Sequence, residues 1–212
     1  MIVPELRRRF AHVSWRVLDS ADHGVAQRRE RVIVAAGPVP FPWPEATHSV
    51  EALVADKWRT GDYWRRHGIP SRDETMRPEA RASLLDERAA ALAPWRTIRD
   101  TWREMGFPSS GPTRPPMSAR HELRIKLHGE VGMSVDAPCR TVGAQRASTW
   151  SPLVIEVPGG LRLLRRDEMA ALQGFPPDHP WSGRKETWQR QIGNAVPPLL
   201  AEVLGSALIT SS

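Results

Sequence analysis

The chain has 212 residues, enough for one large domain or two small ones around a true apolar core. Its formal charge of +6 rests on 30 basic residues, of which only Lys57, Lys126 and Lys185 are lysine; that arginine excess suits phosphate and guanine recognition, though a GC-rich coding sequence produces the same bias. A single cysteine, Cys139, excludes an internal disulfide framework, no run reads as a membrane span or signal peptide, and a cytoplasmic protein with a polyanionic partner is expected.

Residues 1–12 read as a short helix ending near His12. Residues 13–18 read as a strand, 19–24 as a polar turn and 25–36 as a second strand, which together make a hairpin. Side chains of an extended segment alternate in direction, so Gln27, Arg29 and Arg31 share one face. Arg28 and Glu30 take the other, and Val32-Ile33-Val34 reads as a fully buried strand end. Two guanidiniums and an amide in a row can grip a phosphate and an acceptor-rich base edge. The same stretch also reads as an arginine-rich, solvated strand edge. A lone two-stranded unit is marginal in water and leaves open edges, so the chain looks like half of something.

Residues 37–44 hold four prolines and mark a boundary. A mixed helical pattern follows over 49–66, with Trp58, Tyr63 and Trp64. Residues 78–92 predict a helix with Leu84, Leu85 and Leu92 on one side. Pro94-Trp95 opens another, in which Trp95, Ile98 and Trp102 share a face. Residues 106–116 form a Gly/Pro/Ser loop, read as mobile or DNA-facing. Strands are expected over 121–127 and 139–142, and a hairpin over 153–157 and 161–164 around Pro158-Gly159-Gly160. A short helix over 167–173 is closed by Gly174. Near the C-terminus, Asn194 stands where a helix N-cap would, with Pro197 and Pro198 in the first turn and Leu199, Leu200, Val203, Leu204 and Leu208 as the apolar pattern.

Three of these stretches resemble, in order and spacing, the DNA cytosine-5 methyltransferase family. "GVAQRRERVIV" is similar to its eighth motif, Gln-x-Arg-x-Arg, and "RQIGNAVPP" to its tenth, Gly-Asn-x-Val-Pro. Leu172-Gln173-Gly174-Phe175-Pro176 resembles the Leu-Gln-x-Phe-Pro element before the tenth. The early motifs, Phe-x-Gly-x-Gly, Pro-Cys-Gln and Glu-Asn-Val, are not found, so the resemblance covers the later part of the family's sequence. It implies an α/β fold: an incomplete Rossmann-like methyltransferase sheet, made of the terminal hairpin and the C-terminal helix, with a small mixed α+β target-recognition domain. On this expectation residues 1–38 are the terminal strands of the catalytic domain, 39–183 the recognition domain and 184–212 the helix returning to the catalytic domain.

The resemblance further implies double-stranded DNA as substrate, S-adenosyl-L-methionine as cofactor, and an N-terminal methyltransferase polypeptide carrying the early motifs as partner. Arg29 and Arg31 would face the base pocket. Arg31 would hydrogen-bond O2 of a flipped-out cytosine, polarising the ring for addition of the partner's cysteine at C6 and attack by C5 on the methyl sulfonium. Gln27 would support the loop geometry on the substrate side. Asn194, Ala195 and Val196 would contact the cofactor, while Asn194 caps its helix. Arg162, Leu164 and Glu168 fit the pre-helix element, whereas Arg165 stands for the usual Thr, costing a cap of about 1 kcal/mol, and Ala171 for the usual Arg. Pro138-Cys139 imitates a nucleophile motif but occupies the place of the ninth, so a buried structural thiol is expected. The alternatives are a catalytically inactive DNA-binding remnant and an unrelated basic DNA-binding domain.

Overall fold

The computed structural model describes residues 2–71, 86–108, 118, 120, 122, 132–143 and 153–209. Helix α1, Ile2–Arg9, ends three residues before the expected His12 and buries none of its side chains. Strands β1, His12–Asp19, and β2, Glu30–Gly37, pair antiparallel with Trp15 opposite Val34 and Val17 opposite Val32.

The expected second strand began at residue 25, but the ladder starts only at Glu30. Asp19 caps a 3-10 turn, Ser20–His23, and accepts from the Arg29 amide at 2.9 Å, which holds the connection open as a wide loop. Gly24 leaves that turn at φ +81°, where a Cβ would also meet His48 at 2.9 Å, so only glycine fits. Residues 26–28 then leave β1 and pair with Cys139. The Cys139 amide donates to Ala26 at 2.9 Å and the Arg28 amide to Cys139 at 2.8 Å. The strand expected over 139–142 is thereby reduced to one parallel bridge.

Residues 38–46 contain no helix or strand, as the prolines require. A two-residue parallel pairing joins β3, His48–Ser49, to β4, Ala93–Pro94. Between them lie α2, Val50–Val54, a π-helical turn, Ala55–Arg59, and α3, Asp62–His67. Of the helix expected over 78–92, residues 78–85 lie outside the described residues, and the described part is α4, Glu87–Ala90, which ends two residues before the expected Leu92. Helix α5 is Ile98–Glu104, not opened by Pro94. Thr97 and Asp100 cap each other reciprocally there, a stronger start signal than the proline. The loop expected over 106–116 is described only to residue 108. Of the strand expected over 121–127 only Glu122 is described, and its amide donates to the Ser118 carbonyl at 3.0 Å in helical spacing.

The second hairpin is as expected: β5, Val154–Val157, pairs with β6, Gly160–Leu163, across Pro158-Gly159, with Gly159 at φ +90°. Helix α6, Arg166–Leu172, ends at Gln173 and turns away at Gly174. Arg165 gives no side-chain cap, but Glu168 accepts from its amide at 2.9 Å, so half of a capping box survives. The chain ends in α7, Lys185–Asn194, and α8, Pro198–Ile209. Together they include a stretch, Thr187–Ile209, whose length and composition would suffice to cross a membrane, against the expectation from sequence that no run reads as a span. It is not one continuous rod: Ala195 is extended, and Pro197 and Pro198 follow.

One core collects Ile98, Trp102, Ile155, Leu172, Cys139 and Ile192, joined by Ala26 from the run into β2. Segments 1–38, 39–183 and 184–212 therefore share apolar contacts. A smaller cluster of Leu53, Tyr63, Trp64 and Trp95 sits beside it. Burying side chains of this size is worth about 1.5–3 kcal/mol each. Two charge pairs stand within the core, Arg162 on Glu168 at 2.8 Å and Arg99 on Asp136 at 2.6 Å.

Candidate functional site

The site grows from the run into β2. The alternation read from sequence holds: Gln27 and Arg29 are buried, Arg28 and Glu30 exposed, Arg31 half-buried. The apolar strand end does not follow expectation. Val32 is 63% exposed and Val34 38%, on the same face as the exposed Trp15 and Val17 across the ladder. Ile33, on the opposite face, is half-buried.

The two arginines read as one pocket wall part company. Arg29 is 1% exposed, and its guanidinium donates to the carbonyls of Val142 at 3.1 Å, Gly193 at 2.5 Å and Ala195 at 3.1 Å. Its terminal nitrogens face these carbonyls and not an open pocket, because a buried cation needs acceptors, while its Nε has no hydrogen-bond partner. Burial, with Arg31 as a second cation nearby, pushes it down to about 10, so it stays charged at neutral pH. Arg31 donates to the Glu30 carbonyl at 2.7 Å and keeps part of its side chain in solvent. Gln27 is fully buried, with its carbonyl accepting from the Ser20 hydroxyl at 2.9 Å and both side-chain polar atoms without a hydrogen-bond partner.

The carbonyls that receive Arg29 at 2.5 and 3.1 Å from Gly193 and Ala195 belong to the C-terminus of α7. Here the structure corrects the capping expectation: Asn194 is the last residue of α7, not the N-cap of the helix that follows. The Ala201 amide returns to the Pro197 carbonyl at 3.0 Å, so α8 starts at the prolines. Asn194 and Val196 are exposed on the connecting turn, with Ala195 half-buried between them. Gln173 approaches the same turn from α6, donating to the Ile192 carbonyl at 2.7 Å and the Ala195 carbonyl at 3.1 Å. The sequence places Gln173 in a motif without giving it a role; the role depends on residues nearly twenty positions away, and no local pattern announces it.

Cys139 is fully buried in the core, its thiol donating to the Arg140 carbonyl at 3.1 Å. Burial pushes the thiol up to about 12, which leaves it protonated and unreactive at neutral pH, the structural role expected of it. The element around Arg162, Leu164 and Glu168 is an interior joint: Glu168 accepts both guanidinium nitrogens of Arg162 and the Trp102 indole at 2.8 Å.

The profile of the C-5 cytosine-specific DNA methylases matches residues 11–210. Type II methyltransferase M1.HphI of Haemophilus parahaemolyticus is 50% identical over 212 residues, covering 98% of this chain and 50% of that protein. Type II methyltransferase M.AplI of Arthrospira platensis is 28% identical over 210 residues, with 98% and 50% covered. Among solved structures, S. pombe Dnmt2 methyltransferase superposes with a TM-score of 0.59 at 14% identity, covering 99% of this chain and 60% of that one, which establishes a methyltransferase fold of mixed α/β content. The chain spans about half the length of the curated relatives it matches. An unrelated basic DNA-binding domain is set aside by these matches. Matched along almost its whole length, the chain belongs to the C-5 cytosine-specific DNA methylase family.

Proposed function

We propose that this chain supplies the later half of a DNA cytosine-5 methyltransferase, with the target-recognition region over 39–183, and acts with an N-terminal polypeptide that carries the attacking cysteine and most of the methyl-donor site. One observation carries the reading. A hairpin face bearing Trp15, Val17, Val32 and Val34 is exposed in a chain that spans about half the length of the relatives it matches. A patch of that kind marks a contact surface, and an added layer of the methyltransferase sheet or its covering helices fits it. An apolar groove of about 700 Å³ between the end of β2, Pro38–Pro42 and Leu204 and Leu208 of α8 continues the same surface.

In this reading Arg31 is the cation at the base pocket. Its guanidinium hydrogen-bonds O2 of the flipped-out cytosine and stabilises the charge that develops as the partner's cysteine adds at C6. Gln27 and Arg29 stand behind it and fix the backbone from which it projects. The turn at Asn194–Val196 fits S-adenosyl-L-methionine by its chemistry: an exposed carboxamide stands beside an exposed apolar side chain, matching a ligand with polar and flat apolar parts. That cofactor supplies the electrophilic methyl group. The residues of this chain only bind and orient it.

Mixing the chain with a polypeptide carrying the early motifs, duplex DNA and labelled S-adenosyl-L-methionine is expected to give methylated cytosine. Methyl transfer by the chain alone would refute the division of labour. In the mixture, Arg31→Ala is expected to lower transfer about 10²–10³-fold, the scale of one lost charge-stabilising donor, while DNA affinity holds. Equal losses in both would return Arg31 to a phosphate contact.

A further inference from the structure

We propose that Gln173 and Arg29 are positioning residues that fix the turn from Gly193 to Val196 from its inner side, so that the methyl donor meets a surface already in place. The identity of that ligand rests on the reading above; the positioning rests on the geometry. The last turn of a helix leaves carbonyls without intrahelical partners. In α7 the Ala195 amide takes the Gln191 and Ile192 carbonyls at 3.1 and 3.3 Å. Gln173 Nε2 takes Ile192 at 2.7 Å, and Arg29 takes Gly193 at 2.5 Å. Both then converge on the Ala195 carbonyl at 3.1 Å. A cation at a helix C-terminus also opposes the helix dipole.

Two features separate this from ordinary helix termination. Gln173 is fully buried and its Oε1 has no hydrogen-bond partner, a cost that an apolar side chain at the same place would avoid. The donor end makes both of its hydrogen bonds at the α7 terminus. The turn it holds has opposite sides of opposite character. The carbonyls of Ile192, Gly193 and Ala195 face inward to the two donors, while Asn194 and Val196 are left outside. Neither donor needs to touch the ligand to set how those two residues are presented.

Gln173→Met, close in length and lacking the donor, separates this role from plain stability. In the assembled enzyme it is expected to raise KM for S-adenosyl-L-methionine about tenfold or more, with KM for duplex DNA and kcat each within about threefold. In the chain alone, exchange of the Ala195 amide is expected to accelerate about tenfold or more, with the amides of α8 unchanged. Unchanged exchange overturns the positioning, and so does an equal rise in both KM values. If the wild-type mixture transfers no methyl group while Ala195 exchange responds as expected, the methyltransferase reading fails and the positioning of the turn stands. Should the Met variant lose protection throughout, Gln173→Asn keeps the amide but withdraws its donor by one methylene group. The same two measurements on it then support or overturn the positioning by the same outcomes.

Discussion

Among the described residues, Arg99 and Arg29 both lie almost wholly inside the protein, and they are kept there by opposite means. Arg99 meets a carboxylate: Asp136 accepts from it at 2.6 and 3.1 Å, and the Tyr63 hydroxyl adds 2.8 Å to the same group. Burial works against the Arg99 charge, but Asp136 more than offsets it and raises the guanidinium above its ordinary value. Arg29 has no carboxylate among its hydrogen-bond partners, only the carbonyls of Val142, Gly193 and Ala195, and burial pulls it down. The first arrangement neutralises a charge within one packed unit. The second leaves a net cation inside and uses it to tie the strand run-in to the helix end. Stability accounts for the first; the second sits where the candidate site is built.

Removing Asp136 tests the first half of that contrast and has the largest expected effect. Asp136→Ala strands Arg99 without its counter-charge and Tyr63 without its acceptor, at a cost of about 3–5 kcal/mol. Urea unfolding of the chain measures it, and a loss below about 1 kcal/mol, within reach of a mere surface pair, would place the pair outside the core. Arg29→Met comes next, at about 1–3 kcal/mol, because it leaves carbonyls unpaired but also removes an uncompensated buried charge. Its distinguishing mark is activity: methyl transfer in the assembled enzyme falls out of proportion to stability. If Asp136→Ala and Arg29→Met trade activity against stability along one line, the two arginines are equivalent and the contrast fails.

Acid sharpens the same comparison with a smaller, graded effect. Burial lowers His23 and His48, so below about pH 6.5 the unfolded chain binds protons that the folded one resists, and stability begins to fall. Asp136 and Asp100 feel burial raising them, yet hydrogen bonds from Arg99 in one case and from His67 and Thr97 in the other hold both below the ordinary carboxylate value. Their contribution is complete above about pH 4 and is lost as pH drops further. Unfolding free energy against pH is therefore expected to decline in two stages. In Asp136→Ala the second stage shrinks and the first is retained; in Arg29→Met both are retained.

Much of the fold was legible because it is local. The period of two placed Gln27, Arg29 and Arg31 on one face, Pro158-Gly159 announced a turn, and Gly174 closed α6. What escaped depends on distance along the chain. Asp19 capping a 3-10 turn while holding the Arg29 amide delayed β2 by five residues, and nothing in "AQRRE" signals that. Locally, Asn194 predicts the start of a helix, because Asn is a good N-cap. It ends one because Arg29 and Gln173 arrive from elsewhere to satisfy the carbonyls there. The motifs meet at the end of α7, and their folded partners decide which residue of each motif faces in.

The exposed hairpin offers the smallest effect on the chain alone and the cleanest test of what surrounds it. Trp15 is 56% exposed with Val34 opposite it, so Trp15→Ser is expected to shift the unfolding free energy by no more than about 0.5 kcal/mol. A buried tryptophan such as Trp102 would instead cost about 3–5 kcal/mol on truncation. Binding of the early-motif polypeptide should respond in the opposite order. An aromatic side chain at the centre of an interface is a common hot spot, and its loss there is expected to weaken association by about 2 kcal/mol or more, read as a right-shifted titration in calorimetry. If Trp15→Ser leaves association untouched, that face is not where the proposed partner binds, and the groove beside Leu204 and Leu208 takes its place.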